Sequence, residues 1–367
     1  MSTRHPEKKE QFSPFDYPFY EPDRPPNYYK YQTNISYLDE LELCWGKKWG
    51  AQGIGKLKEV AMVKPTNYEI DSIFKEDPVY FMSDVRDADI EEIKRCHNRL
   101  AKALENENVK IHYWQYPDPP VGAYGLLKRT MSGALLVVNG GAIIPRGSTP
   151  YVRGREVYRT KFLASIGCPI LYTVHGYGIC ETGGCRKITD DAILVYQSPD
   201  CNKEGLEQIK PILERAGYKE AVVSYSPGLY KRPNKDLIGS YHPDMWFLSV
   251  GMGAGIIYPP YCDYNTLRWF ESHNFDLIEI PKDEQLKYWP ANGICIEPGK
   301  VIMPKGAEYT IRELRKRNIQ VIEVEYTEAF KYGGGMSCAV GELIRGPGPT
   351  LSEMSRIETP KSYTSYI

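Results

Sequence analysis

The sequence predicts an α/β protein built from repeated supersecondary units, and three observations carry that expectation. Short runs rich in Val and Ile alternate with amphipathic helical stretches through most of the 367 residues, the pattern of strands joined by helical crossovers. A strand pair, a helix and a further strand recur at intervals of several tens of residues, a period that signals units stacking or closing on themselves. No internal stretch has the composition of a linker, so one large domain or two fused lobes are the options.

In chain order, strands are expected at 57–64 (LKEVAMVK), 109–115 (VKIHYWQ), 134–144 (ALLVVNGGAII), 192–197 (AILVYQ), 245–251 (MWFLSVG), 254–260 (AGIIYPP), 275–281 (FDLIEIP), 293–304 (GICIEPGKVIMP) and 319–326 (IQVIEVEY). Helices are expected over 88–107, 204–217, 265–274 and 310–318, each with apolar residues at i, i+3, i+4 and i+7. Gly217 stands at the cap position after ILERA. Residues 1 to about 40 are rich in Pro, Tyr and charge and have neither periodicity. The expected division is an extended arm at 1–44, wrapped on the domain or on a partner subunit of a homo-oligomer, one main domain at 45–345, and a tail at 346–367.

Lys plus Arg (46) nearly cancels Asp plus Glu (47), which removes the electrostatic footprint of a general nucleic-acid binder. The nine cysteines are odd in number and scattered, which suits reduced thiols and a cytoplasmic protein. The N-terminus carries charge and proline where a signal peptide needs an apolar core, and no apolar run approaches the roughly 20 residues of a membrane span. A small, compact substrate fits this balance better than a nucleic acid or a bilayer.

The chemistry-bearing candidates begin with Cys338, in VIEVEYTEAFKYGGGMSCAVGEL (321–343). Glycines 333 to 335 allow positive φ and close approach to a ligand, and a thiolate so presented is a nucleophile. The alternative is a buried cysteine after a flexible turn. Of the six histidines, His242 in GSYHPDMWFLSVG has an acid two residues on; in extended chain His242 and Asp244 share a face, either for one substrate or as an ordinary hydrogen-bonded pair. Glu181, ahead of Gly183 and Gly184 in GICETGGCRKITDD, suits a buried acid holding a cation. A metal set of His175, Cys180 and Cys185 matches no common zinc spacing.

Together these pieces resemble the guanidine-modifying enzymes of the pentein superfamily: arginine deiminases, dimethylarginine dimethylaminohydrolases, agmatine deiminases and amidinotransferases. The similarity runs from about residue 45 (CWGKKWGAQGIGKLKEVAMVKP) to about 345, and is most specific in YHPDMWFLSVG and GGGMSCAV, with TDDAILVYQSPDCNKEGLEQI and ANGICIEPGKVIMP also similar. The resemblance implies an α/β propeller of five ββαβ units with pseudo-fivefold symmetry. It implies Cys338 as nucleophile, His242 as general acid/base, Asp244 as a carboxylate for guanidinium nitrogens and Glu181 as the second acid. Two departures stand out. Thr182 intervenes after Glu181 and Cys185 stands where the family has Asp; Met131 and Ser132 occupy the place of an Arg-Asp pair, so Ser132 takes the substrate-gripping position. Arg153 and Arg155 fall where relatives carry arginines that meet a substrate carboxylate.

The expected reaction is cysteine-dependent hydrolysis of a small guanidino compound, arginine or a substituted arginine or related guanidine, through a covalent amidino-thioether, with no metal or organic cofactor. Transfer of the amidino group to an amine acceptor uses the same residues. A guanidine-binding protein that has lost catalysis is the third reading.

Overall fold

The computed structural model describes residues 36–64, 89–115, 133–148, 152–226, 240–331 and 334–354, together with the backbone of 230–231 and 237–238. Its strands form five three-stranded sheets and one small hairpin, β9 (Tyr230–Lys231) with β10 (Leu237–Ile238). Every three-stranded sheet is built alike: two antiparallel strands, a helix, and a third strand parallel to the second.

The second unit contains β3 (Leu136–Val138), β4 (Gly141–Ile144), α3 (Arg155–Ser165) and β5 (Ile170–Thr173). The third contains β6 (Cys185–Lys187), β7 (Ala192–Gln197), α4 (Lys203–Ala216) and β8 (Glu220–Tyr225). The fourth contains β11 (Phe247–Gly251), β12 (Ala254–Ile257), α5 (Tyr264–Ser272) and β13 (Asp276–Glu279). In the fifth, β14 (Ile294–Glu297) and β15 (Lys300–Pro304) are followed by α7 (Glu308–Lys316) and β16 (Gln320–Val324). The first unit is split across the chain. Its middle and outer strands, β1 (Leu57–Val63) and β2 (Lys110–Trp114), flank α2 (Ile90–Asn106), while its first strand is β17 (Val340–Arg345), which pairs antiparallel with β1 from Met62↔Val340 to Leu57↔Arg345.

This is the five-unit α/β propeller that the resemblance implies. First strands of different units lie beside one another, β17 by β3 and β11 by both β6 and β14, so the ends of these strands converge on one region. Middle strands are buried almost throughout, as β4 and β7 are, which is why they read as continuous apolar runs. Outer strands such as β5 and β8 keep one exposed edge.

Several expectations change. The stretches 134–144 and 293–304 each form a hairpin and not one strand, because Gly140 (φ 95°) and Gly299 (φ 89°) reverse the chain in the left-handed region. Strands β5, β6, β8 and β17 also went unread; their apolar runs are short, as in ILYT and EAVVSY, or missing, as in the Cys-Arg-Lys of β6. A helix, α1 (Tyr37–Trp45), begins at the end of the stretch read as lacking periodicity, capped by Ser36 on the Asp39 N–H and ended by Gly46 at φ 71°; only Leu41 is buried in it, so its pattern is weak. The helix Lys282–Tyr288 (α6) and α3 also went unread.

Buried charge closes the first unit. Glu342 on β17 accepts from Lys187 Nζ of β6 at 2.7 Å and from Arg345 Nη2 at 2.5 Å. Arg345 also donates to the carbonyls of Gly55 and Cys295, both at 2.7 Å. Burial by itself would raise the Glu342 value, but Arg345 and Lys187 hold its carboxyl well below the usual range. Among the described residues no helix is long and apolar enough to cross a membrane.

Candidate active site

Cys338 sits in a single helical turn, Met336–Ala339, directly ahead of β17. The expectation of positive φ in the glycine run is corrected for two of its members: Gly335 has φ −91° and ψ −165°, and Gly334 is likewise outside the left-handed region, while Gly333 lies outside the described residues. Glycine is needed at 335 for room. A Cβ there would lie 2.2 Å from Asn292 Oδ1.

Asn292 and Asp244 hold the nucleophile's surroundings. Asn292 is 1% exposed; its Nδ2 donates to Asp244 Oδ2 at 3.1 Å and toward Cys338 Sγ at 3.5 Å. Its Oδ1 accepts the Ser337 N–H at 2.9 Å. Asp244 Oδ2 accepts from Ser337 Oγ at 2.9 Å and from the Cys338 thiol at 3.5 Å. The other oxygen, Asp244 Oδ1, is buried and has no hydrogen-bond partner among the described residues. Asp244 and Ser337 also line a cavity of about 80 Å³, together with Gly183, Arg186, Glu342 and Arg345.

His242 and Asp244 do not lie along one strand. His242 is extended (φ −133°, ψ 143°), but Pro243–Met245 forms a 3-10 turn, since proline starts such a turn readily. The turn separates their contacts while keeping them electrostatically close: Asp244 reaches Cys338, and His242 Nε2 faces Asp200 Oδ2 at 3.5 Å and Glu181 Oε2 at 4.0 Å. Ser240 Oγ accepts the His242 N–H at 3.1 Å and donates to its carbonyl at 2.6 Å, fixing the entry of the turn. Ser148 ties the two acids together, through its N–H to Glu181 Oε1 at 3.1 Å and through Oγ to both Glu181 and Asp200. Gly183 is required beside the imidazole, where a Cβ would come within 2.5 Å of the ring.

The electrostatics divide the site. Burial, then the Asp244 carboxylate, push the Cys338 thiol up to about 12 against the Gly335 and Asn292 hydrogen bonds. Burial acting alone would lower the His242 value, but Asp200, Asp244 and Glu181 outweigh it and raise it. Burial and Glu181 together raise Asp200. The resting arrangement is therefore a thiol beside a carboxylate, and an imidazole whose proton is held more tightly than usual by its acidic neighbours.

Of the residues expected at the site, Cys338 and Asp244 are in contact, and Glu181 is brought to His242. Ser132 lies outside the described residues. Arg153 Nε donates to the Gly147 carbonyl at 3.2 Å, one residue from Ser148, and Arg155 is buried in the first turn of α3. Cys185 is not an acid substitute at the imidazole: it groups with Cys180 and Cys201. His175 is hydrogen-bonded to Tyr172 Oη at 3.0 Å and does not form a metal set with those cysteines. The residues that escaped sequence reading are Asp200, Asn292, Ser148 and Ser337. The only local signals were turn chemistry, SPDCN for Asp200 and PANG for Asn292.

No protein-family model matches the chain. It is 30% identical over 329 residues to the 2-nitroimidazole nitrohydrolase of Mycobacterium sp. strain JS330, covering 86% of each chain. It is 26% identical to the N(G),N(G)-dimethylarginine dimethylaminohydrolase of Pseudomonas aeruginosa, over 65% of this chain and 87% of that one. Among solved structures it superposes on SxtG, an amidinotransferase from Microseira wollei, with a TM-score of 0.60 and 14% identity over 83% of this chain and 99% of that one.

Proposed function

This chain belongs to the family of the 2-nitroimidazole nitrohydrolase, within the pentein superfamily of enzymes acting on C–N bonds, and from that premise we propose that it hydrolyses a small guanidino compound through a covalent amidino-thioether on Cys338. One observation carries the reading: Cys338 Sγ lies 3.5 Å from an Asp244 carboxylate whose second oxygen is buried without a partner among the described residues. A buried acceptor beside a nucleophile suits a planar cation that donates N–H groups.

A guanidinium carbon is resonance-stabilised and poorly electrophilic, so placement and charge must do much of the work. A cation held by Asp244 offsets the carboxylate that keeps the thiol protonated, and so favours the thiolate as substrate arrives, the thiol proton passing to solvent. The thiolate forms a C–S bond to the central carbon. His242, its proton retained by Asp200 and Glu181, gives that proton to the departing nitrogen, and the C–N bond breaks. Water, deprotonated by the same imidazole, then attacks the amidino carbon and the sulfur leaves. By the resemblance, Arg153 is the residue that would meet a substrate carboxylate.

The nitrohydrolase relative favours a second reading. Carbon 2 of a 2-nitroimidazole is bonded to three nitrogens, as a guanidino carbon is, and the same attack with nitrite as leaving group needs no change in the nucleophile. Transfer to an amine in place of water is the third outcome, since it differs only in what the pocket admits in the second step. The test is to incubate the protein with alkylguanidines and with 2-nitroimidazole, with and without glycine or ornithine, and to assay ammonia or alkylamine, nitrite and transfer product. Hydrolysis predicts amine release independent of the acceptor, abolished by Cys338→Ser. Full turnover by Cys338→Ser would overturn all three readings.

A further inference from the structure

We propose that Asn292 is the positioning residue of the nucleophile, its side-chain amide bracing Cys338 Sγ against the Asp244 carboxylate and donating to the sulfur once the thiol proton has left. The proposal rests on the reading of Cys338 as nucleophile.

Three independent features converge on this side chain. First, its amide orientation is settled by its partners. The Ser337 N–H, 2.9 Å away, can only donate, so it faces Oδ1; the amino group must then point to Asp244 Oδ2 at 3.1 Å and Cys338 Sγ at 3.5 Å. Its two hydrogens are directed at the Asp244 residue, through Oδ2 and the backbone carbonyl at 3.3 Å, and at the Cys338 sulfur.

Second, space has been cleared for it. The Asn292 oxygen fills the place where a Cβ of residue 335 would fall, 2.2 Å away. The glycine preceding the Cys338 turn is thus matched to Asn292 and not to a left-handed backbone.

Third, the backbone that delivers it is unfavourable in itself. Trp289 has φ 48° and ψ 60°, and the other non-glycine residues at positive φ among those described are all asparagines, which tolerate that region far better. Pro290 follows and starts the Pro290–Asn292 turn. Stacking of the Trp289 ring on Phe330, centroids 5.4 Å apart, helps to hold this conformation. Strained backbone of this kind persists where surrounding structure over-determines it, and it clusters at functional sites.

The chemical need is clear from the neighbours. Cys338 faces the Asp244 carboxylate, and a charge on its sulfur is also felt by the half-buried Arg186. A thiolate forming 3.5 Å from a carboxylate is repelled, and a neutral donor shared by both anions eases that repulsion without adding a charge that would compete with a cationic substrate.

The experiment follows alkylation of full-length protein by 2-chloroacetamidine, in which the thiolate displaces chloride to form a C–S bond, with peptide mass spectrometry reading the rate at Cys338 from pH 6 to 10. Asn292→Asp preserves side-chain size and the oxygen that the Ser337 N–H needs, but turns the donor into a further acceptor. Labelling at pH 8 should slow on the order of tenfold or more, with the rate profile displaced to higher pH; a carboxylate buried beside Asp244 should also lower the melting temperature. Asn292→Ala, which removes the donor without adding charge, should show a smaller displacement in the same direction and serves if the Asp variant does not fold. A folded variant labelled at the parent rate across the range overturns the proposal. Parent protein labelled no faster at Cys338 than at the exposed Cys44 overturns the nucleophile reading beneath it, and the proposal with it.

Discussion

Cys338 Sγ and Asp244 Oδ2 lie 3.5 Å apart, with Asn292 donating toward both. The proposed nucleophile and the proposed cation-binding carboxylate are therefore one electrostatic unit, and changing either must alter the other.

Asp244→Asn tests this coupling with two probes of opposite response. The carboxylate raises the thiol value, so its removal should lower that value and speed labelling of Cys338 by the neutral reagent iodoacetamide at pH 8. Labelling by cationic 2-chloroacetamidine should slow, because its anchoring charge is gone. Both rates moving the same way would disprove the coupling.

Asp200→Asn addresses the imidazole. Asp200 is first among the groups that raise His242, ahead of Asp244 and Glu181, so its neutralisation should let His242 lose its proton at lower pH. Glu181→Gln should act in the same direction. Because Asp200 and His242 each feel the other's charge, the measurement is the imidazole NMR titration in each variant; an unchanged His242 midpoint in Asp200→Asn sinks the assignment.

Gly183→Ala places a methyl where only 2.5 Å separates it from the His242 ring. Gly183 is not in the left-handed region, so the backbone tolerates alanine and the imidazole must move. Turnover is expected to fall on the order of a hundredfold, as for other small misplacements at a reacting centre, while thermal melting shifts by only a few degrees.

Glu342→Gln leaves Lys187 and Arg345 without their shared anion. Their side chains are 13% and 2% exposed, and breaking a buried pair in this way costs about 3–5 kcal/mol, to be read by chemical denaturation. The sign with pH follows from the depressed Glu342 value. Its contribution is complete above the unfolded carboxylate value of about 4.3 and is lost as pH falls below it. Stability of the parent should therefore fall more steeply with acid than that of Glu342→Gln.

How much of this was legible depends on what each residue's neighbours in sequence reveal. The middle strands, such as AILVYQ on β7, announce themselves because burial on both faces forces a continuous apolar run. The α2 and α7 helices do so because one buried face imposes a helical period. Cys338, His242, Asp244 and Glu181 were legible because glycines, a short His-to-Asp spacing and a family resemblance marked them. Strand β6, three residues reading Cys-Arg-Lys, and strand β17 with its Glu342 and Arg345, carry polar groups whose partners lie on other units, so no local pattern betrays them.

Sequence by itself determined the α/β class, the repeating unit and the near-neutral charge, and singled out Cys338 as the candidate sulfur, since each of these is written in residue type and local period. Only tertiary structure decided that Asp200 would join Glu181 at His242, that Asn292 would stand between Cys338 and Asp244, and that Gly335 would serve a close contact and not a reversal of the chain. The physical reason is that a hydrogen bond depends on distance in space, and five units meeting at their first strands bring together side chains whose separation along the chain carries no trace of the encounter.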